Sequence, residues 1–122
     1  MAMPKSPSIL ASFRFAWQGV KHAFRTQRNF RVHAAVTALV VLAGLMFRLS
    51  WTEWAVIALT VAVVFQAELV NTALEAVVDH VSPDFHALAK VAKDCAAAAV
   101  LVVALGAVAV GVAIFLPRLL GG

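Results

Sequence analysis

The sequence predicts an all-α membrane protein: an N-terminal amphipathic helix on the membrane surface, followed by three transmembrane helices. Three observations predict it. Its 122 residues are 63% hydrophobic and 13% charged, with a mean hydropathy of +0.93, whereas a soluble domain carries roughly a quarter charged residues. Three long apolar runs follow one another, and each reads as a helix because backbone groups in hydrocarbon must pair within their own segment. Most of the basic residues lie before the first run, where they would meet anionic lipid headgroups rather than nucleic acid.

The length suits one domain, residues 1–122, with no room for a second. The surface helix covers about 9–28. Phe13, Ala16, Trp17, Val20 and Phe24 form an apolar stripe at helical spacing, and Arg14, Gln18, Lys21, Arg25 and Arg28 lie on a second stripe beside it. That pattern suits a helix lying in the membrane interface; a plain anchor and a phosphate-binding role both fit it. The first span, about 32–48, is bracketed by Arg31 and Arg48 and is slightly short of the ~20 residues a bilayer asks for. The second, about 54–79, is long enough but carries Glu68, Asn71 and Glu75. The third, about 95–116, has no formal charge and stops at Pro117. The lone Cys95 excludes an intrachain disulfide.

Lys5, Arg14, Lys21, Arg25, Arg28 and Arg31 precede the first span, Lys90 and Lys93 lie between the second and third, and only Arg48 and Arg118 fall on the other side. The positive-inside rule therefore places the N-terminus and the 79–94 loop in the cytoplasm and the C-terminus outside.

Glu68, Asn71, Thr72, Glu75 and Asp79 fall within roughly 100° of arc on a helix, one polar face inside a membrane span. An ionised side chain at the bilayer centre costs about 2.5–3.5 kcal/mol on insertion scales and by default marks function. A structural hydrogen-bond network would need only Asn71 and Thr72. Carboxylates near basic residues are a usual means of holding Mg²⁺ with a phosphate ester, and a further carboxylate can take the proton of an attacking hydroxyl. Lys93 and Asp94 sit across the mouth of this face, where a solvated ion pair is the simpler account, Lys90 with Asp94 at i, i+4 being a routine surface contact. Neither a Walker-type phosphate loop nor a protein-kinase glycine loop is present.

The string Glu68-Leu-Val-Asn71-Thr72-Ala-Leu-Glu75-Ala-Val-Val-Asp79, followed by Ala92-Lys93-Asp94, resembles the prokaryotic diacylglycerol kinase family, which includes the undecaprenol kinases. Asn29-Phe30-Arg31-Val32-His33 looks like the undecaprenol-kinase branch. The resemblance covers roughly residues 13–115. It implies a homotrimeric bundle in the bacterial inner membrane that phosphorylates a lipid hydroxyl, of diacylglycerol or undecaprenol, with ATP and Mg²⁺. It also implies site roles: Glu68 as general base, Glu75 as magnesium ligand, and Asn71, Asp79, Lys93 and Asp94 positioning metal and phosphates. Glu68 and Asn71 would meet the lipid. His86, on its own residues a solvated loop histidine, matches a nucleotide-contacting position. Gln27 stands where the family has a metal-binding glutamate and offers a carbonyl without charge, so a catalytically weak member is one alternative. A small ion- or proton-conducting oligomer is the other, although it does not account for Lys93-Asp94. His33 and His22 read as interfacial or packing residues.

Overall fold

The computed structural model describes residues 8–121; Lys5, counted among the basic residues above, lies outside them. The described chain is helical, with α1 at Ile9–Thr26, α2 at Arg28–Met46, α3 at Trp51–Val81 and α4 at Ala87–Leu119. Helices α2, α3 and α4 are each long and apolar enough to cross a membrane. At 1.5 Å per residue they run about 28, 46 and 50 Å. A hydrocarbon core is about 30 Å thick, so α2 matches it, while α3 and α4 overrun it by about three turns.

Local sequence explains where each helix starts and stops. Ser8 caps α1, its Oγ accepting from the Ala11 amide at 3.2 Å. Gln27, extended at φ −111 and ψ 110, is the single residue separating α1 from α2. The carbonyls stranded by this break find donors: Ala23 O accepts from the Gln27 amide at 2.8 Å, and Arg31 Nη1 donates to Phe24 O at 2.8 Å and Arg25 O at 3.1 Å. Helix α2 ends in a Schellman pattern, with Leu49 N donating to Gly44 O at 3.1 Å and Arg48 N to Leu45 O at 3.4 Å. Arg48 takes the left-handed position, φ 54, that glycine usually fills. Ser50 and Glu53 then form a reciprocal capping box that starts α3. His86 caps α4 by accepting the Leu88 amide on Nδ1 at 3.1 Å. The apolar run ends at Leu116, but the helix continues through Pro117 to Leu119.

Helices α3 and α4 form the principal hairpin, α2 packs on α3, and α1 touches α2 and α3. Ion pairs close the hairpin at both ends. Glu53 Oε2 and Oε1 accept from Arg118 Nη1 and Nη2 at 2.5 and 2.6 Å, a two-pronged contact, and Lys93 meets Asp79 at the other end. A small core of Leu49, Ile57 and Ile114 lies toward the Arg118 end, with the Phe47 and Phe115 rings 6.0 Å apart beside it. Gly44 permits this packing: a Cβ there would lie 2.5 Å from Trp54 Cη2 and 3.0 Å from Leu49 Cδ1. Leu39, Leu42, Leu59, Leu101 and Leu105 stay exposed around the bundle. So continuous an apolar exterior is untenable in water but is the ordinary surface of a membrane protein.

Candidate active site

The polar face of α3 is graded from a buried carboxylate to an exposed one. Seven residues separate Glu68 from Glu75 and eleven separate it from Asp79, about 10 and 16 Å along the helix axis. Glu68 is 2% exposed, the sole buried polar side chain among the described residues. A carboxylate so placed needs a donor, and α2 supplies one: His33 Nε2 lies 3.2 Å from Glu68 Oε1. One turn away on the same two helices, the Phe30 and Phe65 rings pack edge to face with centroids 5.0 Å apart. Thr37 Oγ1 donates to His33 O at 2.7 Å and Thr72 Oγ1 to Glu68 O at 2.9 Å, so both partners sit on backbone braced by a threonine one turn on.

Asn71 comes next, on the side of α3 that faces α4. Its Oδ1 is buried and, among the described residues, meets no hydrogen-bond donor; the residue borders a cleft of about 400 Å³ with Ala67, Leu74, Ala92 and Cys95. A buried acceptor without a partner is costly. Farther down, Lys93 Nζ lies 2.5 Å from Asp79 Oδ1. Lys93 precedes the uncharged run 95–116, and its pKa is raised above the usual lysine value. The hydrogen bond it donates to Asp79 is the main cause, and the Asp79 and Glu75 charges add to it against some desolvation. Glu75, Asp79 and Lys93 thus share one local field.

Lys93 and Asp94, neighbours in sequence, part company. Lys93 reaches across to α3, whereas Asp94 pairs with Lys90 at 2.6 Å on the exposed face of α4. His86 is exposed and spends its Nδ1 on the helix cap. It borders a shallow pocket with Val78, Ser82 and Leu88, past the Asp79–Lys93 pair. Gln27 lies at the α1–α2 break; its side chain makes no cap bond, and Nε2 donates to Thr26 Oγ1 at 3.4 Å. Among the described residues no three His, Cys, Asp or Glu side chains gather at metal-holding distance. A magnesium carried by a nucleotide asks for less, one or two carboxylates besides the phosphates. Glu75, within the field of Lys93, is such a carboxylate.

Between α2, α3 and α4 a further cavity of about 350 Å³ is lined by His33, Thr37, Thr60, Val64, Ala104 and Gly111. Sequence reasoning passed over two features. His33 read as an interfacial or packing residue, and its partner was not named because it lies 35 positions away and no local pattern points to it. The Glu53–Arg118 contact was missed as well, although Ser50-Trp-Thr-Glu53 carries the S-x-x-E signature of a helix start.

Comparison with known proteins joins this geometry to a family. The family described as prokaryotic diacylglycerol kinase matches residues 14–115. A diacylglycerol kinase of Synechocystis sp. is 52% identical over 116 residues, 94% of this chain and 66% of that protein, so the chain spans just under two thirds of that relative. The undecaprenol kinase of Bacillus subtilis is 44% identical over 108 residues, 88% of each chain. The diacylglycerol kinase of Escherichia coli K12 is 29% identical over 100 residues, 82% of each. With the match covering most of its length and the polar face of α3 lying within it, this chain belongs to the prokaryotic diacylglycerol kinase family.

Proposed function

We propose that this protein is a lipid kinase that moves the terminal phosphoryl group of ATP, carried with Mg²⁺, onto the hydroxyl of a membrane lipid, diacylglycerol or undecaprenol. The observation that carries the reading is the graded polar face of α3, with a buried carboxylate at one end and a carboxylate–lysine cluster at the other. Phosphoryl transfer is mostly positioning and charge neutralisation, so such a face suffices without a covalent intermediate. Glu68 takes the proton of the lipid hydroxyl as its oxygen bonds to the γ-phosphorus; the bond from that phosphorus to the β–γ bridging oxygen breaks, and ADP leaves. Lys93, released from Asp79, pairs with phosphate oxygens, while Asn71, Asp79, Asp94 and His86 orient the nucleotide. Glu75 and Gln27 would hold the magnesium, which when bound offsets phosphate charge.

The arrangement in the cell follows from charge. The basic residues before α2 and at Lys90 and Lys93 favour a cytoplasmic N-terminus and a cytoplasmic α3–α4 connection, which the helices shorten from the expected 79–94 to 82–86, with ATP on that side and α1 lying on the inner membrane surface. The exposed apolar sides of α3 and α4 suit packing against further copies in a homotrimer. The whole chain, residues 1–122, acts as a single domain.

Purified protein in detergent–lipid micelles, given labelled ATP and either diacylglycerol or undecaprenol, tests the reading. Magnesium-dependent lipid phosphate with one acceptor is expected; none with either would overturn it. The apolar walls of the α2–α3–α4 cavity suit acyl and prenyl tails alike, so the two acceptors need to be run side by side.

A further inference from the structure

We propose that His33 is a positioning residue for phosphoryl transfer: it donates Nε2–H to Glu68 Oε1 and holds the carboxylate so that Oε2 faces the incoming lipid hydroxyl. The proposal rests on the lipid-kinase reading above and assigns a role to a residue outside the polar face of α3.

Three observations carry it. The first is the contact itself, Nε2 to Oε1 at 3.2 Å, made to the sole buried polar side chain among the described residues. A carboxylate 2% exposed has few ways to be solvated, so its one hydrogen-bonded partner decides its orientation. The second is the bracing. His33 and Glu68 come from different helices, and the Phe30–Phe65 contact fixes α2 against α3 one turn away. Imidazole and carboxylate therefore meet by helix packing rather than by the sweep of a flexible chain. The third is location. His33 also lines the cavity between α2, α3 and α4, so it links that apolar cavity to Glu68 on the polar face. A lipid whose tail enters the cavity would bring its hydroxyl end to Glu68.

A histidine that merely satisfies a buried carboxylate would matter to stability alone. A positioning histidine would matter to turnover, because displacing a reacting group by about 1 Å can cost on the order of 10²-fold in rate. Three variants of the full-length protein separate these cases: His33→Phe, which keeps the ring but removes the donor; His33→Gln, which restores a side-chain N–H; and His33→Met as a second donor-free variant should the phenylalanine not be accommodated. Each is assayed for lipid phosphorylation at saturating lipid while MgATP is varied, and for its unfolding midpoint.

The donor-free variants are expected to lose on the order of 10²-fold in kcat, with KM for MgATP within about twofold of the parent. His33→Gln should recover most of that loss. Wild-type turnover in both donor-free variants would overturn the proposal, as would a glutamine variant no better than they are. A double-mutant cycle of His33→Phe with Glu68→Met, which removes the acceptor as His33→Phe removes the donor, reads the contact on the unfolding midpoint without reference to activity, and additive shifts would also count against it. A parent protein that phosphorylates neither lipid while the coupling persists would defeat the kinase reading instead, a result distinct from an active His33→Phe.

Discussion

Glu68→Gln should cut turnover by about two to four orders of magnitude and spare the fold. Glutamine has nearly the shape of glutamate, and its carbonyl oxygen can still accept from His33 Nε2 across the 3.2 Å contact. The buried site, 2% exposed, therefore keeps both its packing and its hydrogen bond. What disappears is the proton acceptor. General-base catalysis contributes about 10²–10⁴-fold, equivalent to about 3–5 kcal/mol of barrier, and that is the expected loss in kcat with the unfolding midpoint little changed. Glu68→Asp is a graded control. Removing one methylene withdraws the carboxylate by roughly 1.5 Å, the length of a carbon–carbon bond, so the His33 contact lengthens beyond hydrogen-bond range and an intermediate loss of about 10²-fold follows. Glu68→Ala differs in kind: it leaves His33 without its partner, at about 1–3 kcal/mol, and opens a cavity besides, so stability should fall together with activity. Initial rates of labelled-phosphate transfer into lipid, measured beside thermal unfolding of the same preparations, check all three. Glu68→Gln turning over at the parent rate would refute the assignment of the base.

Lys93→Met should raise KM for MgATP about 10- to 100-fold, the worth of one lost charge-assisted hydrogen bond. Its unfolding midpoint should scarcely move, since Lys93 and Asp79 are 41% and 64% exposed. Gln27→Glu should lower the half-saturating Mg²⁺ concentration by roughly tenfold, the effect of one added charge near a surface, as read from a magnesium titration of the rate. Gly44→Val forces side-chain atoms into the space held by Trp54 and Leu49 and should destabilise the protein by about 1–3 kcal/mol, seen as a lower unfolding midpoint in detergent.

The three apolar helices are legible in the sequence because hydrocarbon imposes one backbone solution on any long apolar run. The polar face of α3 is legible for a related reason: 100° per residue is a fixed geometry, so Glu68, Asn71, Glu75 and Asp79 must share a side once the segment is helical. Their partners are another matter. Nothing in the spacing of α2 aims His33 at Glu68, or in that of α4 directs Lys93 to Asp79 rather than to its neighbour Asp94. These pairings come from how helices rotate and slide against one another, which depends on contacts such as Gly44 with Trp54 and Phe30 with Phe65. Helix lengths escaped for a simpler reason. Hydropathy marks the stretch that suits lipid, whereas capping at Ser50 and His86 marks where the helix begins, and on α3 and α4 the two differ by several residues.

The single-residue break at Gln27 has a mechanical consequence. Arg31, reaching back from the first turn of α2, ties down the last carbonyls of α1, so the joint behaves as a bracket rather than a hinge. The 18 residues of α1 then form a stiff arm about 27 Å long, fixed to the foot of α2. Tilting α2 by about 5°, as a thicker or thinner bilayer demands, sweeps the free end of that arm through about 2 Å. A bilayer that tilts α2 would thereby move the basic arm.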